Sequence, residues 1–311
     1  MLKTLEIIFF ALRDSAIFDP VSAFETVRIG KREKIALEID IFAERLAAIH
    51  LGRRLRRFHP VILGEESLRH KQLDLSGEER LVALLDVVDG TDLLERGLGN
   101  WCSAATFFLP ASRQILGAFV GTLEGLIYFW TPNVQVPMKL DLLTQRLEPV
   151  NGPSKVQSVA DASIAFYGQK LVSLCSNAGP FTHEGNRQLR ASGLGLRLYN
   201  LAGMPAMVKL VDGAERRRLD AVFEVAGQQP HDVVAGAVIA QQAGATLIGM
   251  DGAPVDLASA LLRPADPSNR MKYILAATPE LAKDLLQCLR LGVCSAVVQP
   301  GESDNAKHVA A

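Results

Sequence analysis

Apolar residues along this chain gather in short runs separated by polar turns. Leu81-Val-Ala-Leu-Leu85 is one such run, ending in Asp86, Asp89 and a Gly90-Thr91 turn. It predicts a buried strand with Asp86 at its end and Asp89 one tight kink further on. Trp101–Leu109, Ile115–Gly121 and Leu126–Trp130 predict three more strands, with Leu123-Glu124-Gly125 as a hairpin turn between the last two. Upstream, Ile35, Ile39, Phe42, Leu46 and Ile49 recur at helical spacing and predict a helix over Lys31–Leu55. The Arg53, Arg54, Arg56 and Arg57 cluster closes it, where cations complement the helix dipole. Residues 2–13 predict an amphipathic first helix.

After a polar, proline-bearing stretch from Asn133 to Lys155, read as a lobe boundary, the pattern alternates. Strands are expected over Ser163–Tyr167, Leu219–Val225, Thr246–Met250 and Tyr273–Ala277. Helices are expected over Glu184–Arg190, Ala202–Asp212, His231–Ala243 and Pro279–Leu291. This order predicts an α+β lobe over 1–150 and an α/β lobe over 151–294, with a disordered tail over 295–311.

Composition narrows the class. In 311 residues, 49% hydrophobic content is ample for a sizeable core, and a net charge of −1 gives no global attraction to nucleic acid or anionic membranes. Four cysteines without a Cys-x-x-Cys read as core or surface thiols in a reducing compartment rather than as a disulfide frame or zinc site. The N-terminal apolar core spans only Ile7–Leu12, too short for a signal peptide, and no run approaches the ~20 residues of a membrane span. A soluble, cytoplasmic protein is expected.

Candidate chemistry lies at the strand end. Asp86 and Asp89 can converge just outside the sheet, as a hard cation such as Mg²⁺ requires, with positions left for water and phosphate. Gly90 and Thr91 can offer backbone N–H groups to an anion. Solvated acids before an ordinary Asp-Gly turn would leave the same pattern. Two other segments bear on the choice: Val61-Ile-Leu-Gly64-Glu65-Glu66, and His231-Asp232-Val233-Val234-Ala235-Gly236, where an acid opens an apolar helix.

In this order, Gly64-Glu65-Glu66, Asp86-Val-Val-Asp89-Gly90-Thr91 and His231-Asp232-x-x-Ala235-Gly236 resemble the three motifs of the inositol monophosphatase and fructose bisphosphatase superfamily. The resemblance spans roughly residues 30 to 285. It implies a layered αβαβα sandwich and a Mg²⁺-dependent, lithium-sensitive phosphomonoesterase that uses two or three ions. Glu65, Asp86 and the Val88 carbonyl would hold one ion, and Asp86, Asp89 and Asp232 another. Thr91 and Asp40, with Glu65, would be catalytic, and Gly90 and Thr91 would receive phosphate. A small phosphorylated polyol, sugar or nucleotide would be the substrate, and a homodimer the assembly.

Three residues depart from the family pattern: Leu37 replaces its Thr, Val87 its Pro, and His231 its Trp. Asp92 adds a negative charge at the phosphate turn. His231 reads either as a proton donor beside the metals or as a helix cap. Arg187, Arg190 and Arg197 read as a solvated face or as donors to a second phosphate. The competing function is a phosphometabolite-binding protein that kept the fold and lost turnover.

Overall fold

The computed structural model describes residues 26–28, 35–68, 73–95, 99–168, 170–182, 195–201, 203–213 and 218–296. The helices read over 2–13 and 184–190, Arg187, Arg190, the Asp92 side chain and the tail beyond 296 lie outside them.

Two sheets organise the chain. The first has seven strands in sequence order: β3 (Val61–Gly64), β4 (Val82–Asp89), β5 (Cys102–Leu109), β6 (Gln114–Thr122), β7 (Leu126–Trp130), β8 (Met138–Asp141) and β9 (Arg146–Pro149). Only β3 and β4 run parallel; every other pair is antiparallel. The second sheet has five strands. Its order is β11 (Arg197–Asn200), β10 (Ser163–Phe166), β12 (Ala221–Gln228), β14 (Met271–Ala276) and β13 (Thr246–Gly249). A short ribbon of β1 (Thr26–Arg28) and β2 (Ile35–Leu37) precedes both.

Helices fill three layers around these sheets. On the outer face of the first sheet, α1 (Glu38–Arg54) buries Ile39, Ala43, Ala47 and Leu51 against Ala83, Leu85, Phe107 and Phe119. Between the sheets lie α5 (Gly203–Asp212) and α6 (Val234–Gln242), apolar nearly all round because both flanks are covered. Beyond the second sheet, α4 (Leu171–Thr182) and α8 (Pro279–Ala296) cover Ile164, Phe223 and Ile274. The result is the expected αβαβα sandwich. Among the described residues no helix is long and apolar enough to cross a membrane.

Several boundaries differ from the sequence pattern. The helix read over Lys31–Leu55 starts only at Glu38, and Ile35–Leu37 is strand. Its buried stripe also differs, for Phe42 and Ile49 are about half exposed while Ala43 and Ala47 are buried. Two alanines in that stripe leave room for the helix to sit close on the sheet. The polar stretch read as a lobe boundary contains the β8–β9 hairpin. That hairpin ends the sheet and stays half solvated, so it shows no apolar run. The short helices α2 (Glu65–Leu68), α3 (Thr91–Glu95) and α7 (Leu257–Ala260) are the other described α-helices, and 3₁₀ turns lie at Arg56–Phe58, Val159–Asp161 and Pro230–Asp232.

Candidate active site

Strand β4 does not stop at Asp86; it runs on to Asp89 and carries a bulge between the two. Asp86 pairs with Ala104 and Asp89 with Cys102, so three steps on β4 face two on β5. In a regular strand, residues three apart point to opposite faces. One extra residue cancels that alternation. Val87 and Val88 both turn into the outer core beneath α1, and both aspartates turn the other way. The Ser103 hydroxyl fixes the bulge by donating to the Val87 carbonyl at 2.6 Å. Gly90 then reverses the chain with φ +92°, a region costly for other residues, and lies against the Trp101 backbone.

Four acids meet in the space so formed. Asp86 is 4% exposed. Burial pushes its carboxyl well above the ordinary range, as do the charges of Asp89, Asp232, Glu65 and Asp40. Burial and Asp232 likewise raise Asp89 to about 7. Two donors oppose that rise. The Met204 N–H, in the first turn of α5, gives a bond of 3.2 Å to Asp89 Oδ2, and the Cys102 thiol lies 3.6 Å from the same oxygen. Helix α5 is tied to the first sheet at its far end, where Asp212 accepts from Tyr128 Oη at 2.8 Å and Lys139 Nζ at 3.0 Å.

Asp232 is not in the first turn of the apolar helix, as the sequence suggested. It is the third residue of a separate 3₁₀ turn, Pro230–Asp232, ahead of α6. Its Oδ2 accepts from the Gln229 N–H at 3.0 Å, and its Oδ1 lies 3.2 Å from His231 Nε2. A carboxylate oxygen of Glu65, one of Asp232 and a nitrogen of His231 lie within 4.8 Å of one another.

Glu65 opens α2, and the other side of the pocket holds Asp40 and Glu44 from α1 with Glu65, Glu66, Asp86 and Val88. The Thr91 hydroxyl is 2.9 Å from Asp40 Oδ1 and 3.0 Å from the Val88 carbonyl. Asp40, Glu65, Asp86 and Val88 thus line one pocket, Thr91 is bonded to Asp40 and Val88, and Asp89 and Asp232 lie close enough to Asp86 for their charges to act on it, whereas Arg197 lines a separate cavity. Asp86 and Asp89, whose ionisation is suppressed by burial and by the neighbouring acids Asp232 and Glu65, are a fitting donor set for divalent cations, which would relieve the repulsion.

Sequence reasoning missed Glu44. Its carboxylate accepts from the Glu66 N–H at 2.8 Å and the Ser67 N–H at 3.1 Å, capping α2 and fixing Glu65 beside it. It stands one helical turn after Asp40, on the same face of α1, and that spacing was a usable signal. The same carboxylate occupies the space beside Gly64 that any Cβ would fill. Gly64→Ala is therefore expected to expel Glu44 from the two N–H groups and cost about 2 kcal/mol or more, as for bonds to a charged acceptor. Urea denaturation measures it; a loss under about 0.5 kcal/mol, the range of neutral surface changes, would show that Glu44 does not hold α2.

No family model matches the sequence, and no curated protein matches it. Solved structures do. An IMPase of Thermotoga maritima superposes with a TM-score of 0.67 at 15% identity, covering 94% of this chain and 96% of its own. The SuhB protein of Mycobacterium tuberculosis gives 0.61 at 19% identity over 93% and 92%. An IMPase/NADP phosphatase complexed with NADP and Ca²⁺ gives 0.62 at 15% over 92% and 94%. The chain has the inositol monophosphatase fold. Within it, β4 and its bulge, the 3₁₀ turn of Asp232 and the head of α5 enclose the acids where the two sheets approach each other.

Proposed function

We propose that this protein is a metal-dependent phosphomonoesterase of the inositol monophosphatase superfamily, acting on a small phosphorylated polyol, sugar or nucleotide. The observation that carries this reading is the Thr91–Asp40 contact set beside four convergent acids. Glu65, Asp86 and the Val88 carbonyl would hold one Mg²⁺, and Asp86, Asp89 and Asp232 a second. Bound divalent ions supply charge neutralisation at a phosphoryl group and acidify water. With its hydroxyl proton turned to Asp40 and not to the Val88 carbonyl, which is within equal reach, Thr91 keeps its oxygen free to accept from a water. As that water attacks phosphorus, its proton passes to Thr91 Oγ1 and the proton of Thr91 passes to Asp40. The ester P–O bond breaks and the leaving oxygen takes a proton from solvent. The N–H groups of Gly90 and Thr91 would receive the phosphate oxygens at the head of α3, where the first helical bonds run from Leu93 and Leu94 to the Gly90 carbonyl. Neighbours solved with products, or with NADP and Ca²⁺, support a phosphorylated small molecule as substrate.

Phosphate release from inositol monophosphate, fructose bisphosphate and adenosine 3′,5′-bisphosphate tests the proposal, with Mg²⁺ and with or without Li⁺. Mg²⁺-dependent release from at least one, suppressed by Li⁺, is expected. Binding of these compounds without release from any would favour the non-catalytic binding protein, the reading that Leu37 and His231 motivate.

A further inference from the structure

We propose that His231 is itself a metal ligand, and that its nitrogen turns this site from Mg²⁺ towards a divalent transition ion such as Mn²⁺. The inference rests on the metal-dependent reading above. His231 and Asp232 are consecutive residues of the 3₁₀ turn Pro230–Asp232, and their side chains converge instead of diverging. His231 Nε2 stands 3.2 Å from Asp232 Oδ1, and Glu65 brings an oxygen into the same 4.8 Å cluster. Ligands of one small ion at ~2.1 Å lie about 3 to 4 Å apart, so modest side-chain rotation suffices for one ion to take both Nε2 and Oδ1. The two atoms would then share an ion.

The burial of the ring supports the assignment. The His231 side chain is 7% exposed, and its Nδ1 is enclosed with no hydrogen-bond partner. Leaving a buried polar atom unsatisfied costs about 1–3 kcal/mol, and an apolar ring would fill the same space without that cost. Packing alone gives neither ring nitrogen a use; a ligand role uses Nε2, the nitrogen that faces Asp232, while Nδ1 stays enclosed in either case. The donor chemistry decides the ion. Mg²⁺ favours an all-oxygen octahedron and keeps its waters. Mn²⁺ accepts carboxylates as readily, while imidazole nitrogen suits transition ions. A pocket with four acids and one imidazole suits a transition ion that also takes carboxylates, and Mn²⁺ is one.

Electron paramagnetic resonance of the full chain loaded with Mn²⁺ tests this without substrate. Pulsed spectra of the wild type are expected to show modulation from a directly coordinated nitrogen, and His231→Phe to lose it. In titrations of both proteins, His231→Phe should reduce the preference for Mn²⁺ over Mg²⁺ at least about tenfold, the lower end of what losing even an outer partner of a ligand costs. Wild-type protein that binds no Mn²⁺, or binds it without nitrogen modulation, overturns the proposal, and this arm does not depend on the variant folding. Modulation that persists in His231→Phe, or an unchanged ion preference, also overturns it. Nitrogen coordination without phosphate release would sink the phosphatase reading alone; Mg²⁺-dependent release without nitrogen coordination would sink this one alone.

Discussion

Asp86→Asn is expected to abolish phosphate release while leaving the fold intact and the metal-free protein more heat-stable than wild type. Asp86 is the most enclosed of the four acids and feels the charges of the other three. With ions bound, its carboxylate would serve two of them, so an amide removes charge from both. With ions removed, it is a buried acid among like charges, and its neutral isostere costs less to bury. Opposite signs for activity and stability separate a metal ligand from a structural acid, whose loss would lower both. Phosphate-release assays and calorimetry in chelator give the two readouts. Activity above about a tenth of wild type, under ~1.4 kcal/mol of barrier, would end the shared-ligand assignment. A lower melting temperature in chelator would show that Asp86 holds the fold together.

In chelator, the wild-type protein is expected to lose stability as pH rises from about 4 to about 7, and a divalent ion should restore it. Asp89 carries a native pKa of about 7 against an ordinary 3.8, because of burial and Asp232. Between those values the folded state binds a proton that the unfolded chain has released. The stabilisation is thus complete below the unfolded value and is lost as pH climbs through the folded one. Asp86 is shifted in the same direction, so both acids add to the fall. Ion binding reverses it, by about 2.7 kcal/mol at a hundredfold excess over Kd. Melting temperatures in chelator across this range, for wild type and Asp89→Asn, isolate the contribution. Identical pH profiles for the two proteins would show that Asp89 titrates normally and that the acids do not converge in solution.

The site chemistry was largely legible in the chain, since it resides in residue types at fixed spacings. Gly64-Glu65, Asp86-x-x-Asp89-Gly90-Thr91 and Asp232 named the acids and the turn before any geometry. Strand β7 fell where its apolar run placed it, because a strand covered on both faces leaves an uninterrupted signal. Alternation of strands and helices likewise announced the second sheet. Edge elements did not show, as the half-solvated β8–β9 hairpin illustrates.

Tertiary structure decided how those residues face one another. Spacing alone would send Asp86 and Asp89 to opposite sides of a strand; pairing with β5 inserts the bulge that unites them. The helix α1 stripe of Ile39, Ala43, Ala47 and Leu51 was hidden because alanine carries little hydrophobic signal, yet close packing on the sheet selects it. The Met204 N–H on Asp89 has no signature at all, since every residue but proline owns a backbone donor. His231 could be named from the sequence as a departure, but not as a neighbour of Glu65. That contact joins residues 65 and 231, which only the packing of one sheet against the other, through α5 and α6, can bring together.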